Sequence, residues 1–241
     1  YNCSDLGNIV IPENVTNIGE YAFYNCSDLE SIVIPNNVKT VGDYAFGECF
    51  WLENVVIGKG VTSIADRTFY GCINLIFAEF GANVTSIGEY AFYNCDGLIH
   101  VTIGDSVTTI GDEAFAWCDA LASVTIENGV TTIGDYAFSY CNNLESVTIG
   151  TGVKQLSKYC FEECDRLEEI EFGTGIRSIE EACFYDCDGL VEIVIPGTVR
   201  SLGGSVFAYC DSLEKIVLGN GISKIEKTGT AGLVDTYTIT Y

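Results

Sequence analysis

Residues 29–49 read LESIVIPNNVKTVGDYAFGEC, and the placement of apolar side chains in this stretch decides the fold. Ile32 and Ile34 alternate with Ser31 and Val33, which sends the two isoleucines to one face and their neighbours to the other, the pattern of a short β-strand. Downstream, Val41, Ala45, Phe46 and Cys49 fall at i, i+4, i+5 and i+8 across Gly42-Asp43, an apolar stripe of helical period. That spacing predicts a helix of about two turns.

The same unit recurs without insertion along the chain. Leu stands at 6, 29, 52, 75, 98, 121, 144, 167, 190 and 213, Cys at 3, 26, 49, 72, 95, 118, 141, 164, 187 and 210, and Phe in the same register from Phe23 to Phe207. Counted from the cysteine, the 23-residue unit is C-x-x-L-x-x-I-x-I-x-x-x-V-x-x-I-G-x-x-A-F-x-x. One unit cannot bury its own apolar edge, whereas stacked copies set each Leu, Ile, Val and Phe on its equivalent in the next coil. Parallel strands repeat at about 4.8 Å and packed helices at about 8–10 Å. A helical side would therefore splay and leave the sheet concave. The expected class is an α/β solenoid, a curved right-handed stack with a parallel sheet on the concave face and short helices on the convex one. Its domains are a ten-strand array over residues 1–227 and a degenerate coil or cap over 228–241. There Thr230, Leu233 and Thr236 replace the Phe, Cys and Leu, while Ile239 and Tyr241 still suit a strand.

These residues resemble the BspA-like leucine-rich repeats, whose unit is similar to residues 29–49, and the likeness covers nearly the whole chain. It departs from ordinary leucine-rich repeats at the turn after the strand, where Asn14, Asn37 and Asn83 share a position with Gly60, Gly129, Gly152, Gly175 and Gly221. The resemblance implies a protein-binding or adhesion module, secreted or on a bacterial cell surface, with a host matrix or surface protein as partner. The other reading is a spacer that presents another domain and has no ligand.

Composition narrows the choices. The chain has 34 acidic and 11 basic residues, a net charge of −23, which argues against a nucleic-acid partner. No apolar run is long enough to span a membrane and no basic segment leads into an apolar one. With no Met and Tyr1 at its start, the sequence reads as a mature form or a piece of a longer protein. The sequons at Asn2, Asn14, Asn25 and Asn83 follow from repeat composition.

Twelve cysteines would suggest disulfides, but equivalent side chains in adjacent coils run parallel, and a disulfide needs converging Cβ atoms about 3.5–4.5 Å apart. Free buried thiols are the expectation. Cys160 and Cys183 replace the usual Ala, and with Cys164 and Cys187 they offer four thiols to a zinc ion. The competing account is that Cys is a slightly larger apolar filler there. No cofactor is expected. Carboxylates at Glu20, Asp43, Asp66, Glu89, Asp112, Asp135 and Glu181 share one register and suit helix N-termini. A second row, Asp96, Asp119, Asp165, Asp188 and Asp211, follows the Cys and suits a turn, with calcium a minor alternative. Tyr21, Tyr44, Tyr90, Tyr136 and Tyr159 form a row that would cover the convex side with apolar rings.

The outward strand positions are the candidate ligand contacts: Phe77, Glu79, His100, Thr102, Thr125, Thr148, Glu169, Glu171 and Glu192. Phe77, Glu79, His100 and Thr102 depart most from the repeat, and Glu169, Glu171 and Glu192 make an acidic patch. His100 is the only histidine, with no nucleophile motif beside it, and Gly58-Lys59-Gly60 lacks the spacing of a phosphate loop. Catalysis is not expected.

Overall fold

The computed structural model describes residue 7, residues 9–225 and the backbone of 238–240. Cys3, Leu6, Asn8 and the C-terminal Thr230, Leu233, Thr236 and Tyr241 lie outside the described residues, as does the side chain of Thr102. Coils are numbered here from their cysteines, coil 1 starting at Cys3 and coil 10 at Cys210.

Each coil is a three-walled loop. The first wall carries the longer strands: β2 (Ser31–Ile34), β4 (Asn54–Ile57), β6 (Phe77–Glu79), β8 (His100–Ile103), β10 (Ser123–Ile126), β12 (Ser146–Ile149), β14 (Glu169–Glu171), β16 (Glu192–Ile195), β18 (Lys215–Leu218) and β20 (Thr238–Thr240). The second carries two-residue strands: β1 (Asn17–Ile18), β3 (Thr40–Val41), β5 (Ser63–Ile64), β7 (Ser86–Ile87), β9 (Thr109–Ile110), β11 (Thr132–Ile133), β13 (Gln155–Leu156), β15 (Ser178–Ile179), β17 (Ser201–Leu202) and β19 (Lys224–Ile225). All pairing is parallel and shifted by one repeat, as in Ser31↔Asn54↔Phe77 and Lys215↔Thr238. Alternation decides facing: Ile32 and Ile34 are buried, Ser31 and Val33 exposed.

The third wall corrects the helical expectation. Among the described residues there is no α-helix, and the segment from Gly42 to Cys49 is a run of tight turns. Tyr44 (φ 51°) and Glu48 (φ 58°) adopt the left-handed conformation, and a pair at this spacing recurs through coil 9, from Tyr21 and Asn25 to Ser205 and Tyr209. A left-handed residue every fourth position breaks a helix but still returns residues 41, 45, 46 and 49 to the interior, so the apolar stripe was real and its cause different. The N–H groups of Tyr44, Phe46 and Glu48 donate to Asp66, Thr68 and Tyr70 of the next coil at 3.2, 2.9 and 2.7 Å. A helix would spend those donors internally and demand twice the strand spacing. The turns let the third wall repeat at nearly the same interval as the sheet, which removes the cause proposed for splaying. Left-handed non-glycine residues cost about 1 kcal/mol or more each, and three inter-coil hydrogen bonds of about 0.5–1.5 kcal/mol apiece offset this.

The core is a set of ladders. Phe rings from Phe23 to Phe207 stack with centroids 5.1–5.8 Å apart, and from Phe46 onward they are essentially inaccessible. The eleven described cysteines are all buried. Each of the eight ladder thiols from Cys49 to Cys210, a series that excludes Cys160 and Cys183, donates to the carbonyl of the Phe 26 residues earlier, at 3.0–3.3 Å. Burial raises the ionisation of Cys141 to about 12, keeping it protonated and able to donate. The ladder cysteine is thus a small apolar filler with a donor attached.

Two walls are interrupted at regular places. The long sheet falls into three parts, β2-β4-β6, β14-β12-β10-β8 and β16-β18-β20. The gaps follow coils 4 and 8, where the triplet Glu-Phe-Gly stands at 79–81 and again at 171–173. Phe80 and Phe172 replace the usual Ile and pack on Phe92 and Phe184 of their own coils, with ring centroids 5.5 and 6.4 Å away. In both coils the strand stops one residue early. The short sheet lapses between β3 and β5 and between β11 and β13, where Ala65 and Ser157 replace glycine. At the equivalent Gly42 a Cβ would lie 2.6 Å from the Glu20 nitrogen of the preceding coil, so a side chain there forces coils apart. Glu180 also carries a Cβ at this position yet keeps its bond to Leu156.

Candidate functional site

The long-strand wall carries the candidate contact residues. Its outward columns run Ser31, Asn54, Phe77 in the first part of the sheet and His100, Ser123, Ser146, Glu169 in the second. Three depressions along it gather the candidate residues, two of them at the sheet gaps, and a further one at the corner is lined by Asp28, Glu30 and Trp51. The first, about 450 Å³, opens between coils 4 and 5 and is lined by Phe77, Glu79, Phe80, His100 and Asp105 among others. Three of the four least repetitive candidates, Phe77, Glu79 and His100, thus border one depression; His100 Nδ1 lies 3.3 Å from Ser123 Oγ. The Thr102 backbone pairs with Thr125, and its side chain is not described.

The second depression, about 380 Å³, opens between coils 8 and 9 and is lined by Glu168, Glu169, Ile170, Glu171, Glu192 and Val194. It gathers the acidic candidates Glu169, Glu171 and Glu192. Lys215 already bonds Glu192 at 2.7 Å, leaving the other three carboxylates as its negative lining. The third, about 290 Å³, is a shallow shelf holding Thr125, Thr148 and Glu171 with Phe172. Sequence reading found the residues but not the depressions. Their signal was the doubled Glu-Phe-Gly triplet, in which a larger ring ends the strand and parts it from the next.

Both acidic rows serve the stack. Oδ1 of Asp66, Asp112 and Asp135 accepts the N–H of the equivalent residue one coil on, at 2.9–3.0 Å. The helix N-terminus expected for this row is absent, and lateral capping takes its place. Asp188 does the same for Asp211 in the second row. Burial, then mutual repulsion, raises Asp96 beside Asp119 and Asp165 beside Asp188. Glu162 rises to about 7, chiefly by burial and then by Glu163 and Asp186.

The four thiols considered for zinc do not converge. Cys164 and Cys187 are turned to the carbonyls of Phe138 and Phe161, and no group of three or more His, Cys, Asp or Glu among the described residues is placed to hold a metal ion. The mixed Asn and Gly position has one explanation. Asn37, Asn83 and Ser106 donate to the carbonyl 24 residues earlier. At Gly60 the backbone itself comes so close to that carbonyl that a Cβ would collide with the oxygens of Asn36 and Val38.

The tyrosine row stacks as rings on rings: Tyr21 on Tyr44 at 5.0 Å and Tyr136 on Tyr159 at 4.7 Å. Arg67 interrupts it and sits between Tyr44 and Tyr90, 5.7 and 4.4 Å from their centroids. The Tyr90 hydroxyl donates to Glu113 at 2.7 Å.

The model of the BspA type leucine-rich repeat region matches residues 1–122 and 108–229 in six copies. A leucine-rich repeat protein from Bacteroides ovatus is 31% identical, with a TM-score of 0.72 over 88% of this chain and 64% of that one. This chain therefore spans a little under two thirds of that relative. A leucine-rich repeat protein from T. pallidum is 25% identical, with a TM-score of 0.55 over 85% and 77% of the two chains. One from Eubacterium ventriosum shares the fold at 19% identity, TM-score 0.60, over 94% and 81%. No curated protein matches the chain.

Proposed function

We propose, from the premise that this chain belongs to the BspA-type leucine-rich repeat family, that it is a non-enzymatic recognition and adhesion module whose long-strand wall contacts a protein ligand. Proteins of this family are generally protein-interaction scaffolds. The observation that carries the reading is a coincidence of sequence variation with shape on the strands: Phe77, Glu79 and His100, and Glu169, Glu171 and Glu192, line the depressions where the sheet parts. The contact set is Phe77, Glu79, His100, Thr102, Thr125, Thr148, Glu169, Glu171 and Glu192, and the ligand is a host matrix or surface protein. The site of action is the bacterial surface or its exterior, a reading supported by the family alone. In the described residues no helix is long and apolar enough to cross a membrane.

Binding of the isolated chain to immobilised extracellular-matrix proteins, compared with a Phe77→Ser, Glu79→Lys, Glu171→Lys variant, tests this. The reading expects binding that the variant loses at unchanged thermal stability. A spacer would bind none of them, and its function would follow coil number alone; the 23-residue spacing without insertion supports that second reading.

A further inference from the structure

Outward positions on the long-strand wall and on the corner that leads into it fall in rows; one row holds valines such as Val33 and Val194, and in four others most members of coils 2–7 are polar. The row after the ladder cysteine reads Ser27, Phe50, Ile73, Asp96, Asp119, Asn142, and the row after the ladder leucine reads Glu30, Glu53, Ile76, Ile99, Ala122, Glu145. Trp51 and Phe77 are the large apolar members of the other two rows in coils 2–5, beside Asp28, Asn74 and Gly97 and beside Ser31, Asn54 and His100. Within coils 2–7 all six departures fall in coils 3–5 and all are exposed, Phe50 36%, Trp51 58%, Ile73 36%, Ile76 44%, Phe77 46% and Ile99 52%; Val191 of coil 9 stands alone in the same row as Ile76 and Ile99. They are neighbours in the fold. Asn74 Nδ2 donates to the Phe50 carbonyl at 2.6 Å, Gly97 N to the Ile73 carbonyl at 2.9 Å, and Ile76 N to Glu53 at 2.9 Å.

Exposing such a cluster costs solubility and contributes nothing to the ladders inside. A contiguous apolar patch with a polar rim is the usual signature of a contact surface. Glu53 and Asp96 stand in the patch's own rows, and Glu79 and Asp105 line the depression that Phe77 borders. The basic residues of coils 3–5 are Lys59 and Arg67, and Arg67 is held between tyrosine rings on the third wall. A second copy of the chain would bring another −23 charges against this rim.

We infer that the outer surface of coils 3–5, centred on Trp51, Ile76, Phe77 and Ile99, docks a protein segment that offers an aromatic or long aliphatic side chain flanked by lysine or arginine. The inference rests on the reading of the chain as a recognition module and names its partner's chemistry. The apolar anchor covers the isoleucines and Phe77, and the cations meet Glu53, Glu79 and Asp105.

The test uses Ile76→Glu/Ile99→Glu, which installs the residue that Glu53 and Glu145 already provide in that row, so the fold is kept; unchanged melting confirms it. The probes are four sets of immobilised synthetic peptides: apolar-basic, apolar-acidic, basic without aromatic or long aliphatic residues, and acidic without them. The whole chain should retain the apolar-basic set alone, with quenching or shift of Trp51 emission, and the variant should lose tenfold or more in affinity. Equal binding by chain and variant, no preference among sets, or no retention would overturn the inference. So would a concentration-dependent dimer in sedimentation that the variant abolishes, which would assign the patch to a second copy. Matrix-protein binding that survives Ile76→Glu/Ile99→Glu but fails with Glu171→Lys would sink this inference and leave the recognition reading standing.

Discussion

Replacing Cys118 by serine and by alanine separates two accounts of the cysteine ladder. The Cys118 side chain is fully buried, and its thiol donates to the Phe92 carbonyl at 3.3 Å. Alanine removes the sulfur and the donor together. Losing about one methylene equivalent of buried volume costs about 1 kcal/mol, and a buried carbonyl left without its donor costs about 1–3 kcal/mol, so the variant should lose about 2–4 kcal/mol. Serine keeps a donor on a shorter bond and should lose about 1–2 kcal/mol less than alanine. If the thiol were only an apolar filler, serine would bury a hydroxyl without need and be the worse substitution. The assay is urea unfolding followed by far-ultraviolet circular dichroism, with amide exchange of coils 4–6 as a second probe, because repeat arrays can unfold in parts. A serine variant less stable than the alanine variant would refute the donor account.

Other outcomes follow from the same structure. Because the buried thiols are neutral in the fold and ionise more readily once unfolded, near the ordinary value of 9.0, the stability they contribute is intact below about pH 9 and is lost as pH rises toward the value of about 12 for Cys141; melting temperature against pH should fall steeply across that window. Glu162, raised to about 7 from 4.5, contributes stability that is present below about 4.5 and lost as pH rises through 7. Glu162→Gln should therefore melt higher than the parent at pH 8 and equally at pH 4, and a melt unchanged at both would contradict the burial assigned to that carboxyl. Restoring the consensus with Ala78→Val/Phe80→Ile should close the gap after coil 4, lengthen β6 and protect the Gly104 amide from exchange, as Gly58 N is held by the Ile34 carbonyl at 2.9 Å. An amide that still exchanges freely would mean that Phe80 does not cause the gap.

The repeat, its register and its inward ladders were legible because alternation and 23-residue spacing are properties of side-chain order alone. Val55 and Ile57 pair with the residues that counting assigns them. The third wall was not legible. Val41, Ala45, Phe46 and Cys49 return inward under either a helix or a pair of left-handed turns, and periodicity cannot tell the two apart. What decides it is the lateral demand of the stack, where Phe46 N–H reaches Thr68 rather than Gly42. The register that carries Asp66 and Asp112 was readable, but its partners were not, since they lie one coil away. At the candidate site, Phe77, Glu79 and the glutamates stood out as departures from the repeat. The depressions beside them depend on a single ring size, Phe80 or Phe172 in place of isoleucine, and on the strand it ends. Phe50, Trp51, Ile73, Ile76 and Ile99 stand equally far from consensus, but they lie on the corner before the strand, where alternation does not mark which side chains face out.

The gaps after coils 4 and 8 leave the strands of the first wall unpaired there, while β7 still pairs with β9 and β15 with β17 on the second, and the turn bonds persist on the third. A beam cut on one side and continuous on the other two is compliant in one direction only. Load applied along the stack should open these two joints at the first wall, whereas the four-strand panel between them can yield only at the second, where β11 and β13 do not pair, so that a partner spanning a joint would feel, and could set, the angle at which the neighbouring panels meet.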